Sequence, residues 1–280
     1  MSAKATFGDG EILAVLGEFR GARACLDAAA VASETLAGAP VTALHVRVDP
    51  MCDILPTEEM LSEEDRRRMD ENAVQEGRLL HDTYAAWMTG LPAETPSRWD
   101  EVKGAEGPTV AELGARARMT VMAKPGESSR GHARQAFHTC LFETGKPLLA
   151  VPATYVAVPV RRVLVAWKDA GPSQKALEAA LPWLHRSDAV RLVHIDGDAP
   201  KELADVQRFL NDLGIASDIL TVDHSNSRSI GQQLLDTAAS LHADWLVSGA
   251  FRHGELIERF LGGVTETLLR EAELPLFLVH

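Results

Sequence analysis

The chain has 280 residues, of which 46% are hydrophobic, and a formal net charge of −12. That length suits one large or two small domains with real cores. Acidic side chains are spread over both halves and no basic patch gathers in either, which argues against nucleic acid or anionic membrane as a bulk partner.

In chain order, the first strand is predicted near residues 11–16, from the apolar run Ile12-Leu13-Ala14-Val15-Leu16. A helical pattern containing Cys25, Leu26, Ala28 and Ala29 follows it. The next strand lies near 41–47 and carries His45. A long helix is expected over about 62–88, opened by the capping-box-like Ser62-Glu63-Glu64-Asp65. Its Arg66-Arg67-Arg68 run reads as a solvated face. Further strands fall near 97–102, 119–123 and 148–151. The stretch from Leu148 to Val160 is apolar but broken by Pro152 and Pro159, and it is too short to span a bilayer.

The second half repeats this rhythm. Strands are predicted near 162–167, 189–195, 216–222, 244–248 and 275–279. Helices fall near 173–185, 200–213, 228–241 and 263–273. Val163–Trp167 with Ala176–Ala180 matches Ile12–Leu16 with Cys25–Ala29 at a constant offset of 151 residues. His194 recurs at the place of His45, and Pro275 and Leu276 at the place of Pro147 and Leu148. Four such matches in one order argue for duplication. The strands are apolar on both faces, as in a parallel sheet covered by helices on both sides. The fold class expected is therefore α/β, with two tandem doubly wound five-stranded sandwiches over residues 1–153 and 160–280.

Cys25, Cys52 and Cys140 form no CxxC pair and no Cys/His metal spacing, which predicts a reducing cytoplasm and no bound metal. Residues 1–10 lack the apolar segment of a secretory signal. Cys25 and Cys140 read as small helical core residues. His45 and His194 read as hydrogen-bonded core histidines rather than catalytic ones. No GxxxxGK[ST] loop, GxGxxG fingerprint or GxSxG elbow is present.

One segment stands apart. A strand ending in Gly249 is followed by a loop, then by Gly262-Gly263-Val264-Thr265 opening a helix. Glycines let backbone approach a ligand, and the N–H groups of a helix start favour anions. The run from Gly249 to Val279 resembles the C-terminal signature of the universal stress protein family, and the resemblance extends over Arg161 to His280. It implies a Rossmann-like, adenine nucleotide alpha hydrolase-like fold, a stress-response role exerted by binding rather than catalysis, and a homodimer. It also implies that the last strands, 148–151 and 276–279, lie near each other. In nucleotide-binding members, an Asp after the first strand contacts ribose, the end of the second strand holds adenine, and the glycine loop holds phosphate. Carried over residue by residue, the candidate site comprises Lys168, Asp169, Ile195, Gly249, Arg252, Gly262, Gly263, Val264 and Thr265. Lys168 stands where the ribose Asp is expected, with Asp169 beside it. Arg252 replaces the second glycine, and Gly263 replaces a hydroxyl residue. ATP is therefore expected to bind weakly or not at all. Gly17 stands at the ribose position of the first half, which reads as a degenerate partner. The alternatives are a nucleotide-independent interaction protein or a slow ATP hydrolase.

Overall fold

The computed structural model describes residues 10–48, 62–91, 95–126, 129–168, 171–195, 200–224, 227–250 and 263–280. It divides into two compact units, Met1–Lys146 and Pro147–His280.

The first unit holds β1 (Ile12–Val15), α1 (Ala22–Thr35), β2 (Val41–Val48), α2 (Glu63–Met88), β3 (Ser97–Gly104), α3 (Glu106–Arg116), β4 (Met119–Ala123) and α4 (Gly131–Phe142). Its strands run parallel in the order β3-β2-β1-β4. β1 is wholly buried, as an apolar run covered on both faces must be. α2 starts as its sequence dictates. Ser62 Oγ accepts a hydrogen bond from the Asp65 backbone N–H at 3.1 Å and donates to the Asp65 carboxylate at 2.6 Å. Arg66, Arg67 and Arg68 are exposed on its surface.

The second unit holds β5 (Leu148–Val151), β6 (Arg162–Ala166), α5 (Pro172–Leu184), β7 (Ala189–Ile195), α6 (Lys201–Asp212), β8 (Ser217–Val222), α7 (Ile230–Ser240), β9 (Trp245–Gly249), α8 (Gly263–Glu271) and β10 (Leu276–Val279). The parallel part of its sheet runs β10-β9-β6-β7-β8. β5 pairs antiparallel with β10, with Leu276 opposite Ala150 and Leu278 opposite Leu148. The expected nearness of those two strands is thus a direct pairing. Trp183, Trp245 and Phe277 pack ring against ring with centroids 5.3–6.1 Å apart, where α5 covers β9 and β10.

The duplication extends to hydrogen bonds. The Nδ1 of His45 lies 3.1 Å from the Leu16 carbonyl, and the Nδ1 of His194 lies 3.1 Å from the Trp167 carbonyl. A carbonyl only accepts, so each Nδ1 carries the proton and each Nε2 is left as an acceptor in the neutral ring. Both histidines thus tie the end of a second strand to the end of a first.

Cys25 and Cys140 are fully buried free thiols. Cys25 Sγ donates to the Val121 carbonyl at 3.2 Å. Burial, and next the neighbouring Cys140, push the Cys25 thiol far above its ordinary range, and burial pushes Cys140 up to about 12. Neither carries thiolate near neutrality. Both should resist a thiol reagent in native protein and label only in denaturant. Peptide mapping that finds either one modified under native conditions would contradict this packing.

Candidate functional site

Parallel strands with helices on both faces bring the helix starts to the carboxyl edge of the sheet. In the second unit that edge opens into a cavity of about 750 Å³. The ends of β6, β7 and β9 supply Trp167, Lys168, His194, Ile195, Ser248 and Gly249. The first turn of α8 supplies Gly263, Val264 and Thr265, and the start of α7 supplies Ser229 and Ile230. Six of the nine candidate residues therefore line one space. The other three, Asp169, Arg252 and Gly262, lie outside the described residues.

The walls are mostly apolar, from Ala166, Trp167, Val193, Ile230, Leu234 and Val264. The charged side chains lining it, among the described residues, are Lys168, Glu266 and Arg270. Glu266 and Arg270 face each other one helical turn apart at 3.8 Å. Lys168 is exposed, and its backbone N–H donates to the buried Ser173 Oγ at 3.3 Å, which fixes the turn into α5. With the positive ends of α7 and α8 aimed at the same space, the cavity favours an anion although the whole chain is acidic.

The two described glycines of the candidate site differ in their surroundings. A Cβ on Gly249 would sit 2.6 Å from the Pro172 backbone carbon and 2.7 Å from the Ser173 nitrogen. Gly249 is demanded by the approach of α5 to the end of β9, inside the fold. Gly263 has nothing within 4 Å of an added Cβ and stands open to the cavity. A third contact of this kind, Gly231 on α7, lets Thr267 of α8 close to 2.6 Å of its absent Cβ. That packing draws the two helix starts together.

The start of α7 was not singled out from sequence. Its signal is Ser229 followed by Gln232, and the two form a reciprocal capping box at 3.1 and 3.2 Å. His194 was assigned to the core, and its ring bonds as a core histidine does while also lining the cavity. Among the described residues no cluster of three His, Cys, Asp or Glu side chains is placed to hold a metal, and no helix is long and apolar enough to cross a membrane.

The corresponding edge of the first unit holds only about 30 Å³, beside Gly17 and Glu18. Its own carboxylates fill the place. Glu106, 3% exposed, puts Oε1 2.7 Å from where a Gly17 Cβ would stand. Glu18 accepts from Ser129 Oγ at 2.6 Å and from the Arg130 backbone N–H at 3.0 Å, where α4 begins. The anion-attracting helix start of this unit is thus satisfied from within the chain.

Residues 159–280 match the model of the universal stress protein family. The second half of the chain is thus similar to the universal stress protein family. A universal stress protein from Archaeoglobus fulgidus has a similar structure, with a TM-score of 0.69 and 16% identity over 98% of this chain and 97% of that one. A putative universal stress protein from Pseudomonas aeruginosa gives a TM-score of 0.56 and 13% identity over 99% and 95%. At such identities the likeness is one of fold, and it runs the length of both chains. No curated protein matches the sequence. The α/β, Rossmann-like, mostly parallel architecture expected from the sequence is the architecture of this family.

Proposed function

We propose that this chain is a universal stress protein that works in the cytoplasm by binding rather than by catalysis, and that its second domain is a weak adenine-nucleotide site. The observation that carries the reading is the 750 Å³ cavity at the carboxyl edge of the second sheet, walled by apolar side chains and faced by two helix starts and Lys168. Its size falls within the ~300–1,000 Å³ of small-molecule sites. The apolar walls suit a base, and the helix starts suit phosphate. Weak affinity follows from Lys168, which offers a ribose no carboxylate acceptor, and from Gly263, which offers a phosphate no hydroxyl. The oriented imidazole among the described lining residues, His194, has a backbone carbonyl and no carboxylate on its Nδ1, which favours binding over ATP hydrolysis. A homodimer completes the proposal.

Extraction of nucleotide from freshly purified protein, followed by mass spectrometry and calorimetric titration with ATP, tests it. The expected dissociation constant lies above about 100 μM, weaker than about −5.5 kcal/mol. Absence of any adenine-nucleotide binding at millimolar concentration would instead leave a nucleotide-independent interaction protein. Submicromolar affinity would contradict the reasoning about Lys168 and Gly263.

A further inference from the structure

The cavity at the carboxyl edge of the second unit has two anion-attracting ends rather than one. α7 packs on β7 and on α8, while α8 leads into β10, three strands away from β7 in the sheet. The two helices touch within their first turns, where a Gly231 Cβ would stand 2.6 Å from the Thr267 Cβ and 3.1 Å from the Val264 carbonyl oxygen. Packed helices lie ~8–10 Å apart, so a single phosphate cannot rest on both starts. The first turn of α7 carries no acidic side chain. That of α8 carries Glu266, which lies 3.8 Å from Arg270.

A full positive charge joins them from the sheet. Lys168 follows β6, the strand between β9 and β7, and it is exposed and lines the same space. Ala166 on β6 stands opposite Val193 on β7, and the two form an apolar floor just before it. The chain as a whole carries −12, so it does not draw polyphosphates to its surface in general, and any attraction has to be local.

The chemistry of that lysine narrows the ligand. Where doubly wound folds bind nucleotides, an acidic side chain near the sugar takes ribose hydroxyls, whereas a basic one takes a ribose phosphate. Lysine suits a phosphate as a compact point charge. A triphosphate leaves the sugar as one chain from one side. A nucleotide phosphorylated on both the 5′ and the ribose hydroxyl side presents two separate anions, as two adjacent helix starts and a lysine require.

We propose that this cavity takes an adenine nucleotide with a second phosphate monoester on its ribose, the class of adenosine 3′,5′-bisphosphate. The base lies over Ala166 and Val193, the 5′ phosphate on the start of α8, and the ribose phosphate between Lys168 and the start of α7. Lys168 is then the residue that selects for the ribose phosphate. The inference rests on the adenine-nucleotide reading given above and accounts for weak binding of ATP, which brings no partner for Lys168 at the sugar.

The full chain is titrated calorimetrically with AMP, ADP, adenosine 3′,5′-bisphosphate and adenosine 2′,5′-bisphosphate. One bisphosphate should bind about tenfold or more tighter than either AMP or ADP, the gain from a charge-assisted hydrogen bond. ADP carries its two phosphates in one chain and so controls for charge alone, and the tighter isomer shows which hydroxyl is phosphorylated. Both ³¹P resonances of that isomer should move on binding. Lys168→Ala, which replaces an exposed side chain, should erase the advantage over ADP and leave the ribose-phosphate resonance at its free position. Lys168→Arg should keep both effects. If AMP and ADP bind but neither bisphosphate exceeds ADP, this inference fails while the nucleotide reading stands. If none of these ligands binds at millimolar concentration, the nucleotide reading falls and this inference with it. An advantage that survives Lys168→Ala overturns the role given to Lys168.

Discussion

Gly249→Ala should destabilise the second domain by about 1–3 kcal/mol or more, the range for a methyl forced into a packed interior. The atoms in the way are the Pro172 carbon at 2.6 Å, the Ser173 nitrogen at 2.7 Å and the Pro172 Cβ at 2.8 Å. Two of these are backbone and the third is in a rigid ring, so none can swing aside as a long side chain would. To admit the methyl, α5 must lift from the end of β9. α5 also carries Trp183, packed on Trp245 and Phe277, so lifting it loosens the aromatic core. The same shift moves Ser173 and its bond to the Lys168 backbone, which shape the cavity wall. Ligand binding and stability should therefore fall together. Urea unfolding followed by tryptophan fluorescence measures the first effect. A variant as stable as wild type would show that α5 does not press on β9 as described. Gly263→Ala is the companion control. With nothing within 4 Å of its Cβ, it should lie within about 0.5 kcal/mol of wild type.

That contrast shows where sequence reading reaches its limit. The strands were legible because each is a short apolar run bounded by turn residues, and β4, β5 and β7 fall where that pattern places them. The offset between Ile12–Leu16 and Val163–Trp167 exposed the duplication, and the structure repeats it down to the His45 and His194 hydrogen bonds. The cavity's location followed from topology alone, since helix starts collect at the carboxyl edge of a parallel sheet. What sequence hid was contact between distant residues. Nothing near Gly249 announces that Pro172 lies against it. Nothing near Gly17 announces Glu106, and nothing near Arg130 announces Glu18, yet these two carboxylates occupy the first unit's edge.

The double change Lys168→Asp with Gly263→Ser should strengthen ATP binding by about a hundredfold or more. The first substitution places an acceptor at the end of β6, where the ribose hydroxyls of a bound nucleotide would lie. The second adds a hydroxyl donor at the first residue of α8, beside the N–H groups that would face the phosphates of the proposed ligand. A hydrogen bond involving a charged group contributes about 1.5–3 kcal/mol, so two together exceed the ~2.7 kcal/mol that corresponds to a hundredfold. Neither substitution meets a steric obstacle, since Lys168 is exposed and Gly263 has open space around it. The sign of the charge change is the decisive point. Removing Lys168 takes a positive charge from a site proposed to take phosphates, so if Lys168 pairs with the triphosphate, Lys168→Asp must weaken binding. Lys168→Ala separates the two cases. It should leave ATP affinity nearly unchanged if the side chain lies over the ribose, and lower it severalfold if the side chain reaches the phosphates. Calorimetric titration of the three variants against wild type decides between them. A double variant that binds no better than wild type would remove the ribose assignment of position 168, while leaving the cavity and its two helix starts as the proposed place for an anion.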